Sequence, residues 1–314
     1  MLAAPDGRVV ATTDFLLEGR HFRREWAGPV DIGHKAAARS LADIAAMGAR
    51  PTGLLVALAG PPDLPVSWLR SLAEGLAAES ARAGASVIGG DTARADAVIL
   101  AVTGLGDLAG RAPVLRSGAC PGDVVAVAGP LGHAAAGLAL LTAGRSGREA
   151  LIRAQLRPEP PYAAGLAAAD AGATAMIDVS DGLLADLTHI ARASKVRINV
   201  RTPLLAAPAD PGRAPEAPAP DPGRTAPGRT DSGPASTGSA PGRTTPGLAA
   251  PDLAMMLTGG EDHSLVATFP PGTRLPAPWR PIGEVLAPDP AQSHVVVDGR
   301  PYTGRTGWDH FRER

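Results

Sequence analysis

The chain has 314 residues, which is long enough for two domains of ordinary size. Its formal net charge of −1 argues against a nucleic-acid partner. Hydrophobic residues make up 45% of the chain and charged residues 19%, a composition that is typical of a globular protein in water. The single cysteine, Cys120, excludes an internal disulfide and predicts a reducing, cytoplasmic location.

The hydropathy pattern predicts no membrane partner. No apolar run approaches the roughly 20 residues that a membrane-spanning helix needs. The first residues, "MLAAPDGRVV", lack a basic flank followed by an apolar stretch, so a secretory signal is not expected. Cys120 lies in the Gly/Pro-rich stretch "SGACPGD", with no candidate general base nearby, and is interpreted as a small loop residue rather than a nucleophile.

Strands and helices alternate over the first part of the chain. The predicted elements are a strand at 8–13 that ends at Asp14, a helix at 33–47, a strand at 52–59, a helix at 67–84, and strands at 85–91 and 97–107. This alternation predicts an α/β domain over residues 1–110.

Residues 111–314 repeat the pattern and are expected to form a second α/β domain. Its predicted elements are strands at 122–129, 173–182, 263–269 and 294–299, and helices at 133–144 and 183–194. Residues 206–250 interrupt it with four "PGR" repeats and almost no large apolar residues. Such a segment buries too little surface to offset its ordering entropy, so a disordered insertion is expected.

Acidic residues recur in one form, as an Asp or Glu at the end of an apolar run beside Gly, Ser or Thr. The instances are "VVATTD", "SLADIAAMG", "SVIGGDT", "MIDVSDG" and "MMLTGGED". Each alone is readily explained as a turn residue or a helix cap. An acid at the edge of a core needs a cation, however, and Lys35 is the only lysine among the early acids. Together the acids therefore predict a Mg²⁺ site with bound phosphates, because Mg²⁺ prefers oxygen ligands.

The glycines in "GGDT" and "TGGED" would let a ligand approach the backbone closely. Neither stretch matches the G-x-x-x-x-G-K-[ST] loop, and no G-x-G-x-x-G follows a strand. A nucleotide would therefore be held in another way.

Long motifs in a fixed order resemble the thiamine-monophosphate kinases, which belong to the superfamily of aminoimidazole ribonucleotide synthetase. The motifs include "VVATTDFLLEGRHFR", "ARSLADIAAMGARP", "VIGGDT", "VLRSGACPGD", "MIDVSDGLLADL", "LTGGED" and "GWDHF". The resemblance covers nearly the whole chain except the insertion. It implies the two-domain α/β fold of that superfamily, with an N-terminal sheet that pairs with a partner subunit in a homodimer.

The resemblance also implies a reaction, in which ATP passes its γ-phosphoryl group to the phosphate of thiamine monophosphate with the help of several Mg²⁺ ions. It implies metal ligands at Thr12, Thr13, Asp14, Asp43, Asp91, Asp178 and Asp181. It implies ATP contacts at Gly90, Asp91, Arg116 and Ser180, and contacts to the thiamine side at His21, Glu261 and Trp308. Asp91, Asp181 and Arg116 are the residues expected to act on the transferred group.

Other interpretations of these residues stay open. His21 could be an ordinary surface or core histidine, Trp308 a packing residue of the C-terminal segment, and Arg116 a solvated arginine. Two positions also depart from the family, with Ala73 and His263 where aromatic residues are common. Ala73 would remove a possible contact to adenine.

The family carries an early "GDDAA" motif, whose acids bind Mg²⁺, just before the strand at 8–13. Met1 follows the place where it would lie. Either the natural chain starts earlier, which we expect, or part of the metal site is missing. The alternatives are then a catalytically impaired dimeric nucleotide-binding protein, or another ATP-using enzyme of the superfamily. A selenophosphate synthetase would need a reactive Cys near the N-terminus, and the sequence has none there.

Overall fold

The computed structural model describes residues 4–205 and 251–308. They form a mixed α/β structure with two separate sheets of four and seven strands. The predicted α/β fold class is therefore confirmed. The "PGR" insertion at 206–250 lies outside the described residues. No helix within the described ranges is long and apolar enough to cross a membrane.

The first sheet has the strand order β1-β4-β2-β3, in which only β2 and β3 run parallel. Its strands are β1 (Val10–Leu17), β2 (Arg50–Gly60), β3 (Ser86–Arg94) and β4 (Ile99–Asp107). Two helices, α1 (Pro29–Ala46) and α2 (Val66–Arg82), pack against each other. Their close contact requires glycine, since a Cβ at Gly33 or Gly75 would lie 2.2 or 2.1 Å from a backbone oxygen of the other helix.

The second sheet has the order β11-β10-β7-β9-β5-β8-β6 and is antiparallel except between β10 and β7. Its strands are β5 (Val124–Ala128), β6 (Ala175–Val179), β7 (Arg197–Val200), β8 (Ser264–Phe269), β9 (Arg280–Leu286), β10 (Val295–Val297) and β11 (Arg300–Pro301). Its helices are α3 (His133–Thr142), α4 (Glu149–Leu156), α5 (Tyr162–Asp170), α6 (Leu183–Ser194), α7 (Thr202–Leu205) and α8 (Leu253–Thr258).

Helix α1 lies between the two sheets and is buried along most of its length. It contacts β1, β2 and β4 on one side and α5, β6 and β8 on the other. Pro29 at its first turn and Gly48, with a φ of 68°, after its end are the residues that favour these helix boundaries. A helix in this position can present side chains to acids from both sheets.

The prediction that the first strand ends at Asp14 is wrong, because β1 continues to Leu17. Thr12, Asp14 and Leu16 alternate with exposed residues and face inward, so Asp14 is an inward-facing acid within the strand and does not mark its end. The expectation that the acids follow the apolar runs fails at other positions also. Asp43 lies within α1, and Asp91 and Asp178 lie within strands β3 and β6.

Candidate active site

One face of helix α1 carries a stripe of charged side chains, Lys35, Arg39 and Asp43. Their spacing of four residues aligns them along the helix, and all three line one cavity. Lys35 is only 3% exposed and Arg39 only 10% exposed. Charges buried this deeply need partners, so the stripe indicates a site built for charged groups.

Three carboxylates from different elements meet at the Asp43 end of the stripe: Asp14 of β1, Asp43 of α1 and Asp178 of β6. Burial raises the pKa of Asp43 to about 8, and the negative charges of Asp178 and Asp14 contribute to the rise. Thr12 Oγ1 donates to Asp43 Oδ2 at 2.6 Å, which favours the ionised form but does not offset those effects. The three carboxylates therefore repel one another when they are ionised, and a bound cation would relieve that repulsion.

These carboxylates fit Mg²⁺ bound together with substrate phosphates. Within residues 4–205 and 251–308, no three His, Cys, Asp or Glu side chains converge tightly enough to form a ready metal cage. Mg²⁺ usually keeps several waters and binds one or two carboxylates plus phosphate oxygens, so a closed cage is not required. The raised pKa of Asp43 is the observation that favours a cation here, because a cation would stabilise its charged form.

The raised pKa of Asp43 predicts a pH dependence of stability in the metal-free protein. The pKa of Asp43 is higher in the folded protein than in the unfolded chain. The contribution of this carboxyl group to the free energy of unfolding is therefore complete at low pH. It is lost as the pH rises from about 4 to about 8. With EDTA present, the unfolding temperature of the wild type should fall more steeply over this range than that of Asp43→Asn. Added Mg²⁺ should flatten the wild-type curve, and parallel curves for the two proteins would contradict the assignment.

Glu261 lies opposite the stripe and pairs with both of its cations. Its Oε1 accepts a hydrogen bond from Arg39 at 2.5 Å, and its Oε2 lies 2.9 Å from Lys35 Nζ. Burial opposes the charge on Glu261, but Lys35 and Arg39 outweigh it and hold its pKa well below the usual range. Arg39 also reaches toward Asp14, at 3.9 Å, and so connects Glu261 with the acid cluster.

The turn that carries Glu261 is held in an uncommon conformation. Glu261 and His263 both have positive φ angles, of 71° and 50°. Between them, Asp262 accepts hydrogen bonds from the backbone N–H groups of Gly132 and Ala134 at the start of α3. Burial raises the pKa of Asp262 to about 6 in spite of these bonds. The Asp262 contacts fix the turn and thereby direct Glu261 into the cavity.

The cavity has a volume of about 370 Å³ and opens between the two sheets. Part of its wall is formed by the loop after β1, by apolar residues of α3 and by Trp308. This part of the wall includes His21, Phe22, Trp26, Leu138, Leu141 and Trp308. The Arg20 guanidinium lies 5.7 Å from the centre of the Trp308 ring, which shows that this ring accepts a cation on its face.

The structure brings together eight of the predicted site residues. The cavity is lined by Asp14, His21, Asp43, Asp178, Ser180, Asp181, Glu261 and, at the C-terminal end, Trp308. Thr12 reaches the site through Asp43. His263, one of the two positions where an aromatic residue was expected, also lines the cavity, and its Nδ1 lies 3.1 Å from Asp178 Oδ2.

Thr13, Gly90, Asp91 and Arg116 are not among the described residues that line the cavity. Thr13 faces the opposite side of β1 from Asp14 and bonds Thr103 at 3.2 Å. Gly90 and Asp91 lie on the exposed edge strand β3, and Arg116 is exposed in the loop before β5. Gly90 has a packing reason to be glycine, since a Cβ there would lie 1.8 Å from Val56 O. The roles of these four residues stay predictions.

Arg39 and Trp26 are site residues that the sequence analysis did not identify. The signal for Arg39 was its position midway between Lys35 and Asp43, at helical spacing. Trp26 had no comparable signal, because the loop that turns its ring into the cavity follows no periodic pattern.

Comparisons with known proteins agree with the resemblance. Family models described as AIR synthase related protein match residues 1–108 with their N-terminal domain and residues 120–223 with their C-terminal domain. The thiamine-monophosphate kinase of Mycobacterium tuberculosis is 45% identical over 313 residues, which is all of this chain and 84% of that protein. The enzyme of that name from Escherichia coli K12 is 34% identical over 99% of this chain and 89% of its own length.

Solved structures give the same result. The crystal structure of thiamine-monophosphate kinase from Stenotrophomonas maltophilia K279a is 30% identical, with a TM-score of 0.72, over 93% of this chain and 86% of that one. A structure described as AaThiL complexed with AMPPCP and TMP is 28% identical, with a TM-score of 0.75, over 99% of this chain and 89% of that one. On this evidence the chain belongs to the thiamine-monophosphate kinase family.

Proposed function

We propose that the protein transfers the γ-phosphoryl group of ATP to the phosphate of thiamine monophosphate, giving thiamine diphosphate and ADP. The observation that carries the proposal is a single cavity whose wall combines a cluster of carboxylates with aromatic residues. The relative described as complexed with AMPPCP and TMP supports it, because AMPPCP is an analogue of ATP.

In this proposal the carboxylate cluster binds the phosphate groups through metal ions. Asp14, Asp43 and Asp178, together with Asp181, would hold Mg²⁺, which neutralises the charge that keeps two phosphate groups apart. Arg39 lies beside them, and its buried Nε has no hydrogen-bond acceptor among the described residues. This N–H is available to a phosphate oxygen. The acceptor phosphate is already an anionic nucleophile, so the reaction needs no general base.

The aromatic residues of the cavity would bind the thiamine group. Trp308 and Trp26 line the cavity, and each indole ring has an arginine guanidinium over its face. Such a ring face also suits the cationic thiazolium ring of thiamine. His21 is fixed by its Nδ1, which accepts from Leu17 N at 3.0 Å, so its Nε2 carries the proton. Ser180 would contact ATP. Thr13, Gly90, Asp91 and Arg116 retain their predicted roles within the same proposal.

A homodimer formed through the first sheet belongs to this proposal, with residues 1–110 as the dimerising domain and 111–314 as the second domain. Every residue of the edge strand β3 is exposed. Large apolar side chains on this sheet are exposed as well: Phe15 at 60%, Ile88 at 44%, and Leu55 and Val87 each at 41%. An exposed apolar face with an open edge strand is typical of a sheet that binds another protein surface. The exposed free Cys120 is consistent with the expected cytoplasmic location.

Phe15→Glu tests the dimer. A charge placed on the apolar face should shift the protein from dimer to monomer in sedimentation velocity at micromolar concentration. Leu253→Glu is the matched control, because Leu253 is 46% exposed on α8, which packs on α6 and α3, and should leave the dimer intact. A wild type that sediments as a monomer, or a Phe15→Glu variant that stays dimeric, would contradict this interface.

Substrate dependence tests the reaction. The purified protein, expressed from its complete reading frame, is supplied with ATP and Mg²⁺ and with either thiamine monophosphate, thiamine or no acceptor. We expect ADP to form in a 1:1 ratio with thiamine diphosphate and only with the monophosphate. ADP formation that does not depend on thiamine monophosphate would assign the cavity to another acceptor.

A further inference from the structure

The loop of residues 180–182 holds, through its backbone, two segments that carry side chains lining the cavity. Ser180 O accepts from Glu261 N at 2.8 Å, and Asp181 O accepts from Trp308 N at 2.8 Å. The segments that carry Glu261 and Trp308 can approach this closely only through glycine. A Cβ at Gly260 would lie 2.4 Å from Ser180 O, and one at Gly307 would lie 2.5 Å from Asp181 O.

The other side of this loop is held by one buried carboxylate, Asp186 in the first turn of α6. Its Oδ2 accepts hydrogen bonds from the three consecutive N–H groups of Ser180, Asp181 and Gly182, at 3.1, 3.2 and 3.1 Å. Asp186 is only 2% exposed and is not one of the residues that line the cavity. Gly182 makes the tight turn possible, with a φ of 124° that other residues rarely adopt.

We propose that Asp186 is a positioning residue for the reaction and acts through the Ser180–Gly182 loop. The proposal rests on the proposed function and deepens it. Asp186 holds the three N–H groups, and the loop's carbonyls in turn hold the backbones of Glu261 and Trp308. Without Asp186, three buried N–H groups would lose their acceptor, and the loop would move to find another. Such a movement would displace Ser180 and Asp181 together with the thiamine-side residues.

Three substitutions separate this role from a general loss of stability. Asp186→Ala removes the acceptor, Asp186→Asn keeps an oxygen in the same place, and Asp186→Glu keeps the charge but displaces the loop by the length of one methylene. Asp107→Ala is the matched control. Asp107 is also a buried carboxylate that accepts a backbone hydrogen bond, from Ala109 N at 2.8 Å, but it lies at the end of β4 and does not line the cavity.

Two measurements are made on each variant at a temperature below its unfolding midpoint. Amide hydrogen exchange of the segments 180–182, 259–263 and 304–308 is followed without substrate, and the KM for thiamine monophosphate is measured separately from kcat. In Asp186→Ala, we expect exchange at 180–182 and the KM each to rise at least about tenfold. Asp186→Asn should stay within about threefold of the wild type in both, and Asp107→Ala should change neither.

Either of two results in Asp186→Ala overturns the proposal. Unchanged exchange at 180–182 in Asp186→Ala would show that Asp186 does not hold the loop. Faster exchange with an unchanged KM would show that the loop does not position the substrate. If Asp186→Ala does not fold, Asp186→Glu decides, since wild-type exchange and KM in that variant would exclude positioning. A wild type without activity on thiamine monophosphate would refute the proposed function, and the exchange measurement would still test the hold of Asp186 on the loop.

Discussion

Asp178→Asn is expected to lower kcat for thiamine diphosphate formation at least about a hundredfold while the protein remains folded. Asp178 is 5% exposed on β6 and contributes, with Asp14 and burial, to the raised pKa of Asp43. Removing its charge weakens the site for a divalent cation. It also relieves repulsion between buried carboxylates, so the metal-free protein should not lose stability. The measurement is kcat over a range of Mg²⁺ concentrations, together with the unfolding midpoint in EDTA.

Asp63→Asn is the control for this substitution, because Asp63 is an exposed carboxylate in the turn after β2, outside the cavity. It should leave kcat unchanged. If Asp178→Asn kept its kcat within about twofold of the wild type at low Mg²⁺, Asp178 would not be a metal ligand. A loss of activity that only followed unfolding would likewise refute the role.

Glu261→Gln is expected to lower the free energy of unfolding by about 3 kcal/mol. Glu261 is the shared anionic partner of Lys35, which is 3% exposed, and Arg39, which is 10% exposed. Its neutral replacement leaves two neighbouring buried cations without that charge, and an uncompensated buried charge is costly. Urea denaturation in the absence of ligand measures the effect.

The control for this prediction is Glu159→Gln, at an exposed pair in which Arg153 lies 3.9 Å from Glu159 and both side chains are more than 60% exposed. Pairs of this kind contribute less than about 1 kcal/mol. Equal losses for the two variants would mean that the cations of α1 do not depend on Glu261. The KM for thiamine monophosphate should also rise in Glu261→Gln, since its two cations would be free to shift.

The acids of the site could be identified from the sequence, but their positions in the elements could not. Asp14, Asp43, Asp178 and Asp181 were predicted to act together, and the structure places all four around one cavity. Their local contexts differ, however. Asp14 is in the middle of a strand and Asp43 is inside a helix, because inward-facing positions occur within elements as well as at their ends.

The partners of these acids were harder to predict, because they come from distant parts of the chain. Lys35, Arg39 and Asp43 have helical spacing in the sequence, yet only the packing of α1 between the sheets shows which side of the stripe faces Glu261. Asp186 likewise gives no sequence signal beyond its place in a helical pattern. Its role depends on the turn at Gly182, which brings three N–H groups to its side chain.

The elements missed by the sequence analysis are short or irregular. Helices α4 and α5 have eight and nine residues, and β7 has four. Strand β9 reads "RPIGEVL", in which Pro281 and Gly283 disfavour a strand, although it lies inside the sheet between β7 and β5. The neighbouring strands and the core stabilise such segments, and their own sequences do not specify them.

The most direct test of the account follows the transferred phosphorus itself. The protein is incubated with Mg²⁺, thiamine monophosphate and ATP that is isotopically labelled in its γ-phosphate, and the products are separated. The label is expected in the terminal phosphate of thiamine diphosphate, with ADP as the other product. Label released as inorganic phosphate with no labelled thiamine diphosphate, or AMP in place of ADP, would contradict it.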